Sequence, residues 1–249
     1  MATDAICYRD AYARAVEATI MGTEPAAGGA VLVTLDGTVF YPGGGGQPAD
    51  SGRLVPDDGG PGWVVRGARK SGDDIVHEVV VAEGEALPQI GQHVSAELDW
   101  DRRYLLMRTH TALHALCGIV WRDHGAQVTG GNMEPGKGRM DFEFETLDAA
   151  LAGSIETAVN AELAVARPIH VRFLPRDEAF AIPDLVRTKV NLLPEGITEI
   201  RIVDILGLDV QADGGTHVAN TREVGSIRVT GYESKGRINK RIRMELVDP

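Results

Sequence analysis

Two histidines four residues apart, His110 and His114 in the segment HTALH, have a spacing that suits metal chemistry. In an α-helix this spacing puts both imidazoles on one face, with Cβ atoms roughly 5–6 Å apart. One zinc ion with Zn–N bonds of about 2.0–2.1 Å can bridge such a pair. Two ordinary histidines on a half-buried helix face give the same pattern, so the pair alone is weak evidence. The segment lacks the glutamate that serves as general base in HExxH metallopeptidases.

A second pair with the same spacing, Asp213 and His217, brackets two glycines in the segment DGGTH. The glycines would let the backbone turn sharply and bring both side chains to one point. A simple turn that begins with aspartate has the same composition. The two pairs together supply three imidazoles and one carboxylate, a plausible set of zinc ligands. Asp213 either ligates the ion or leaves His217 as a lone third ligand; a carboxylate is a normal zinc ligand, which favours the first.

A glycine run, residues 43–46, precedes Gln47 and Pro48 and resists regular secondary structure. Backbone at such a run can approach a ligand closely, and the Gln47 amide can donate and accept hydrogen bonds. Gly45, Gly46 and Gln47 are therefore candidate substrate-binding residues. A flexible β-turn is the alternative interpretation.

The formal net charge of −11 counts against a dedicated nucleic-acid binder. The charge is uneven, however, because residues 228–243 hold six basic residues and one acidic residue. A local stripe of this kind can contact phosphates even on an acidic protein, and a solvated edge strand is the equally weighted alternative. The candidate phosphate-binding residues are Lys235, Arg237, Lys240, Arg241 and Arg243.

Length and composition predict a folded protein with no membrane association. A chain of 249 residues with 43% hydrophobic residues can bury the core of one large domain or two ordinary ones. Its two cysteines give no disulfide framework, and no apolar run approaches the roughly 20 residues that cross a bilayer. The N-terminus lacks the pattern of a secretory signal, so we expect a cytoplasmic protein.

The hydrophobic pattern predicts an α+β fold in two domains, residues 1–98 and 99–249. Short strand candidates separated by turns predict a small β-barrel or sandwich in the first domain; they are residues 31–35 and 38–41, joined as a hairpin by Asp36-Gly37, and residues 63–66, 75–81 and 93–98. The second domain mixes helices and strands; the helices are residues 101–123 and one around residues 147–163, and the strands are residues 140–144, 170–174, 197–203, 226–232 and 241–246.

Three motifs together resemble one known family. HTALH resembles the HxxxH motif of the editing domain of alanyl-tRNA synthetase and of its free-standing relatives, the alanyl-tRNA editing proteins of AlaX type. DGGTHVANT resembles that family's CGGTHV-type motif, and FYPGGGGQPADSG resembles its FYPEGGGQPxDxG segment. The opening YRDAYARAVEATI is also similar. The editing domain of threonyl-tRNA synthetase shares the HxxxH theme but fits the other two motifs less well.

The resemblance implies a translation-factor-like β-barrel followed by a metal-dependent editing domain. It implies a hydrolase that deacylates mischarged tRNA(Ala) in trans, Ser-tRNA(Ala) first and Gly-tRNA(Ala) second. Zinc would be held by His110, His114, Asp213 and His217 and would activate a water, while the general base stays unassigned. The hydroxyl of Thr129 would recognise the serine side chain; a plain strand or turn threonine is the alternative. The basic stripe would contact tRNA.

Two positions depart from the family pattern. Asp213 stands where the family usually has cysteine, and oxygen is a harder and shorter-reaching ligand than thiolate. Gly43 stands where glutamate is common. The first departure and the acidic charge motivate an alternative, a non-catalytic tRNA-binding or regulatory module with a degraded metal site. A metallohydrolase acting on a small ester or amide is a further alternative.

Overall fold

The computed structural model describes residues 2–187 and 196–247 of the chain. They form two compact units: residues 2–44 with 48–104, and residues 45–47 with 105–187 and 196–247. The fold is therefore mixed α+β, as the sequence predicts, while the domain boundary after residue 98 stays a prediction. Residues 45–47 lie between barrel strands in the sequence but pack within the second unit. None of the helices in the described ranges is long and apolar enough to cross a membrane.

The first unit is a closed β-barrel. The strands of this unit are β1 (Asp4–Ala5), β2 (Ala15–Pro25), β3 (Ala30–Leu35), β4 (Gly37–Thr38), β5 (Gly52–Pro56), β6 (Trp63–Ser71), β7 (Asp74–Val80) and β8 (His93–Leu98). The short strands β1 and β4 pair with each other in a separate two-stranded sheet. Six of the strands close in the order β2-β3-β7-β6-β5-β8, and every neighbouring pair is antiparallel. Alternate residues point inward, as Val94 and Ala96 do on β8, and fill the barrel core. The predicted small barrel is confirmed.

The predicted hairpin at Asp36-Gly37 is wrong. Strand β3 pairs with β2 and β7, whereas β4 pairs in parallel with β1. Asp36 is engaged elsewhere, since its carboxylate accepts from the amide of Thr19 at 2.8 Å and its carbonyl accepts from the amide of Asp4 at 2.8 Å. These distant partners override the local turn preference of the Asp-Gly pair.

A histidine lies in the barrel core. His77 follows the inward register of β7, between Ile75 and Val79, and is fully buried. Its Nδ1 lies 3.0 Å from the carbonyl of Val33, which can only accept, so Nδ1 carries the proton. Its Nε2 lies 2.8 Å from the hydroxyl of Thr38. Burial lowers the pKa of His77 to about 4, so the ring is neutral inside the folded barrel at neutral pH.

Lowering the pH should destabilise the barrel because His77 is neutral in the folded state. In the unfolded chain the pKa of His77 is about 6.5, so the unfolded state takes up the proton first and stability falls as the pH drops from 6.5 towards 4. At pH 5 the loss amounts to about 2 kcal/mol. His77→Gln does not titrate, and we expect it to lose about 2 kcal/mol less unfolding free energy than wild type between pH 7.5 and pH 5. Urea unfolding at both pH values measures this, with exposed His170→Gln as control. Equal losses in wild type and His77→Gln would contradict it.

The second unit combines helices with two antiparallel sheets. Its elements are α1 (Trp100–His124), β9 (Val128–Glu134), β10 (Lys137–Glu143), α2 (Ala149–Ala164), β11 (Ile169–Pro175), α3 (Arg176–Phe180), β12 (Glu199–Ile205), β13 (Asp209–Ala212), β14 (Ser226–Ser234) and β15 (Asn239–Val247). Helix α1 begins in the first unit and continues into the second. One sheet has the order β14-β15-β10-β9 and the other the order β11-β12-β13. Asp148 caps the start of helix α2, and its side chain accepts from the amide of Leu151.

Helix α1 carries the first histidine pair and has the ends that the sequence predicts. The Asp99 carboxylate accepts from the amide of Arg102 at 3.2 Å, and Gly125, at φ +62°, donates its amide to the carbonyl of Trp121. All residues from 109 to 120 are buried, which matches a segment that has no Asp, Glu, Lys or Arg. His110 and His114 therefore lie inside the protein.

Candidate metal centre

The four predicted ligands meet at one point. His110 and His114 come from one face of α1, and Asp213 and His217 come from the turn that follows β13. One nitrogen or oxygen of each lies within 4.8 Å of those of the others. His217 Nε2 is 3.1 Å from Asp213 Oδ2, and His110 Nε2 is 3.7 Å from Asp213 Oδ1. Ligand atoms of a tetrahedral zinc ion lie roughly 3.3–3.4 Å apart, so the group has the spacing and donor chemistry to hold a metal ion.

Each imidazole is oriented through its Nδ1 atom. His110 Nδ1 lies 2.9 Å from Gln47 Oε1, and His114 Nδ1 lies 3.0 Å from Asp209 Oδ2. His217 Nδ1 lies 3.1 Å from the hydroxyl of Thr111. Side chains outside the ligand set that bind one ring nitrogen fix the orientation of the ring and leave the other nitrogen for a metal.

The charges suit a cation. Burial lowers the pKa of His110 well below its usual value and that of His217 to about 4, so both rings are neutral at neutral pH. Burial alone would raise the pKa of Asp213, but the surrounding histidines hold it well below its usual range, so this group is ionised. Burial likewise opposes charge on His114, but the hydrogen bond and charge of Asp209 outweigh it and raise the pKa. A partly buried anion among buried imidazoles is the electrostatic arrangement that a metal ion neutralises.

The turn itself is fixed around Asp213. The amide of Gly215 donates to Asp213 Oδ2 at 2.7 Å, and Arg201 Nη1 donates to the Asp213 carbonyl at 2.8 Å. A Cβ on Gly215 would overlap the His110 ring and lie 2.7 Å from Gln47 Oε1. Neither Gly214 nor Gly215 has a positive φ, so the second glycine is required for space and not for an unusual backbone conformation.

The glycine run contributes residues to this site. Gly45 and Gly46 have φ values of +58° and +86°, which favour glycine. A Cβ on Gly45 would lie 3.8 Å from Asp213 Oδ1, and one on Gly46 would lie 3.1 Å from the carbonyl of Gly131 on β9. Gln47 is buried with protein partners at both amide atoms. The substrate contacts predicted for these three residues stay predictions.

Thr129, the predicted serine-recognising residue, lies on β9. Its side chain is exposed, and its hydroxyl donates to the amide oxygen of Asn239 at 2.8 Å. The structure does not bring Thr129 into the ligand cluster, and its role in substrate binding stays a prediction.

The basic stripe follows β14, β15 and the turn between them, and much of its charge is paired. Arg241 forms a two-point contact with Asp141 at 2.7 and 2.8 Å, and Glu233 accepts from Arg243 at 2.6 Å and pairs with Lys235 at 3.0 Å. Lys240 is buried; its ammonium donates to the hydroxyl of Ser234 and to two carbonyls of the turn.

Arg237 differs from the rest of the stripe. Its side chain is exposed, and no ion pair involves it among the residues that the structure describes. The phosphate contacts predicted for the stripe stay predictions, and Arg237 is the member best placed to make one.

Several residues that orient the ligands were not predicted. Asp209, Thr111, Arg201 and Thr216 all contact a ligand or Gln47. Two of them had a local signal: Thr111 lies within HTALH, and Thr216 within DGGTH. Asp209 lies on β13 and Arg201 on β12, two neighbouring strands of one sheet whose pairing the sequence alone does not give.

Two family models match the chain. Residues 200–243, which include Asp213 and His217, match the model described as the threonyl and alanyl tRNA synthetase second additional domain. Residues 8–102, which include the barrel strands, match the model of class II (A) tRNA synthetases. The barrel and the residues of the cluster thus place the chain in a class of proteins that is related to tRNA synthetases and their additional domains.

Full-length relatives give the family. An alanyl-tRNA editing protein AlaX-M from Methanosarcina barkeri is 35% identical over 249 residues, which cover 99% of this chain and 100% of that protein. One from Saccharolobus solfataricus is 36% identical over 242 residues, or 96% and 97% of the two chains. The alanine–tRNA ligase of Pyrobaculum aerophilum is 36% identical over 238 residues, which are 93% of this chain and 25% of the ligase. The chain belongs to the family of alanyl-tRNA editing proteins.

Proposed function

We propose that the chain removes wrongly attached amino acids from tRNA(Ala) in trans, by hydrolysing the ester bond of Ser-tRNA(Ala) and, second, Gly-tRNA(Ala). Membership of the alanyl-tRNA editing family makes it an enzyme, an ester hydrolase of the aminoacyl-tRNA deacylase class. The observation that carries the proposal is the cluster of three buried histidines and one partly buried aspartate in a chain that an editing protein matches from end to end.

The choice of substrates follows from the limits of selection by binding. A pocket gains only about 1–3 kcal/mol from one methylene group, and it rejects an isostere that adds a hydroxyl poorly. An alanine-charging enzyme therefore accepts some glycine, which is smaller, and some serine, which adds one hydroxyl. A separate hydrolytic site that removes these two amino acids restores fidelity. With a tRNA substrate, we propose that the enzyme acts in the cytoplasm.

The ligand cluster supports zinc as the cofactor. His110 and His114 present Nε2 atoms whose partner nitrogens are already hydrogen-bonded, and Asp213 is an ionised carboxylate within reach. Three nitrogen ligands and one oxygen ligand suit zinc in tetrahedral geometry. When bound, the ion would supply a Lewis acid that polarises the ester carbonyl or lowers the pKa of a water.

The protein's own groups hold this centre in place. Gln47, Asp209 and Thr111 orient the rings, and Gly215 and Arg201 fix the Asp213 turn. We infer that Asp213 replaces the family's usual cysteine as the fourth ligand, with a harder oxygen donor.

The test is deacylation of Ser-, Gly- and Ala-tRNA(Ala) by purified protein, with and without a chelator. We expect Ser-tRNA(Ala) to be hydrolysed fastest, Gly-tRNA(Ala) more slowly, and Ala-tRNA(Ala) to be spared. Chelation should slow hydrolysis by about 100-fold or more, because several kcal/mol of transition-state stabilisation leave with the ion, and added zinc should restore the rate. Equal rates with and without chelator would remove the metal from the proposal. Binding of tRNA without hydrolysis would favour the regulatory alternative.

A further inference from the structure

Gln47 is buried, and both atoms of its side-chain amide already bind partners within the protein. Its side chain is 2% exposed. Its Oε1 lies 2.9 Å from His110 Nδ1 and also accepts from the backbone amide of Thr216 at 2.9 Å. Its Nε2 donates to the Thr216 hydroxyl at 2.8 Å. One amide group thus joins a ligand on α1 to the turn that carries the other two ligands.

The bond to Thr216 fixes which way the Gln47 amide faces. A backbone N–H can only donate, so the atom it meets is the amide oxygen. That oxygen can only accept, and therefore His110 Nδ1 must carry the proton in the hydrogen bond that they share. The neutral ring then has its lone pair on Nε2, the atom that lies 3.7 Å from Asp213 Oδ1.

The other two rings rely on different partners. His114 Nδ1 faces the Asp209 carboxylate, which can only accept, so it too is a donor. His217 Nδ1 faces the hydroxyl of Thr111, which can donate or accept and fits either tautomer. A glutamine amide, with a donor and an acceptor in one plane, is the group that can bind Thr216 at two points and still accept from His110.

We propose that Gln47 is a positioning residue that sets the tautomer of His110 and locks the 213–217 turn against α1, so that the site is preorganised for its metal ion. The inference rests on the metal role proposed above for His110. In this proposal Gln47 supports the metal centre and does not make the substrate contact that the sequence suggested.

Zinc affinity, measured by competition with a chromophoric chelator, tests the positioning role. Gln47→Met keeps the length of the side chain but neither accepts from His110 nor binds Thr216, and we expect it to weaken zinc binding by about 10–100-fold. Gln47→Glu keeps an acceptor for both His110 and Thr216, and we expect its affinity to lie much closer to that of wild type. Exposed Gln89→Met, in the barrel unit, is the control. An unchanged affinity in Gln47→Met, or equal losses in the methionine and glutamate variants, would overturn the inference.

The tautomer is observable without any metal. Long-range ¹⁵N–¹H correlation spectra of the metal-free protein should show His110 protonated at Nδ1 in wild type and in Gln47→Glu, and a mixture of tautomers in Gln47→Met. A wild-type ring protonated at Nε2 would overturn the inference. This readout needs no tRNA, so it separates the two proposals: if the spectra agree but zinc does not bind to wild type, the zinc role in the proposed function fails and the tautomer assignment stands.

Discussion

Replacing His114 by alanine is expected to remove the metal ion and to slow deacylation of Ser-tRNA(Ala) by about 100–1000-fold. The ring offers one of the four candidate ligand atoms from a buried position on α1. The loss corresponds to about 3–4 kcal/mol of transition-state stabilisation, the several kcal/mol that a Lewis acid supplies. Zinc content and single-turnover deacylation measure the two effects together.

A graded series separates loss of the ligand from general damage. Asp209→Asn leaves His114 in place but replaces the carboxylate that accepts from its Nδ1, so we expect a loss of about 10–100-fold, smaller than that of His114→Ala. His170→Ala changes an exposed histidine on β11 and should behave as wild type. Full activity of a zinc-free His114→Ala protein would contradict the assignment of this ligand.

Replacing Gly215 by alanine is expected to be as damaging as removal of a ligand. The new Cβ would overlap the His110 ring, and because His110 is fixed on a buried helix, the turn must move instead. Asp213 and His217 move with it, so we expect deacylation and zinc affinity to fall by about 100-fold or more. Overpacking at a buried position also costs about 1–3 kcal/mol of stability.

Gly214 provides the matched control for this substitution. A Cβ at position 214 would meet no atom within 4 Å, and neither glycine has a positive φ. Gly214→Ala should therefore keep zinc binding and deacylation near wild-type levels. If both alanine variants behave alike, the steric explanation is wrong and the turn depends on backbone freedom.

The elements that the sequence predicts well are those with a local signal. Helix α1 has a capping aspartate and a terminal glycine, and its predicted ends lie within one residue of the structure. Strand β8 alternates strictly and has the predicted bounds. Strand β2 is not predicted, because the register shift between Ile20 and Gly22 limits the alternating pattern to the first half of the strand. The hairpin error has a similar origin, since Asp36 bonds to residues distant in sequence.

In the candidate site, too, the residues with a local sequence signal could be predicted and those with distant partners could not. The meeting of the two candidate ligand pairs could be predicted because each pair has a four-residue spacing and a distinctive residue type. Their supporting partners could not, because Gln47 is 63 residues from His110 and Asp209 is 95 residues from His114. The role of Gly215 was predicted for the wrong reason: the sequence suggests a sharp backbone turn, and the structure shows that the His110 ring occupies the space of a side chain.

Metal analysis of the purified wild-type chain, reconstituted with zinc and freed of excess ion, tests the central claim most directly. The four-ligand centre predicts close to one zinc ion per chain, and a background level in a His110→Ala, His217→Ala double variant prepared in parallel. A wild-type protein that holds no zinc and still deacylates Ser-tRNA(Ala) would contradict it.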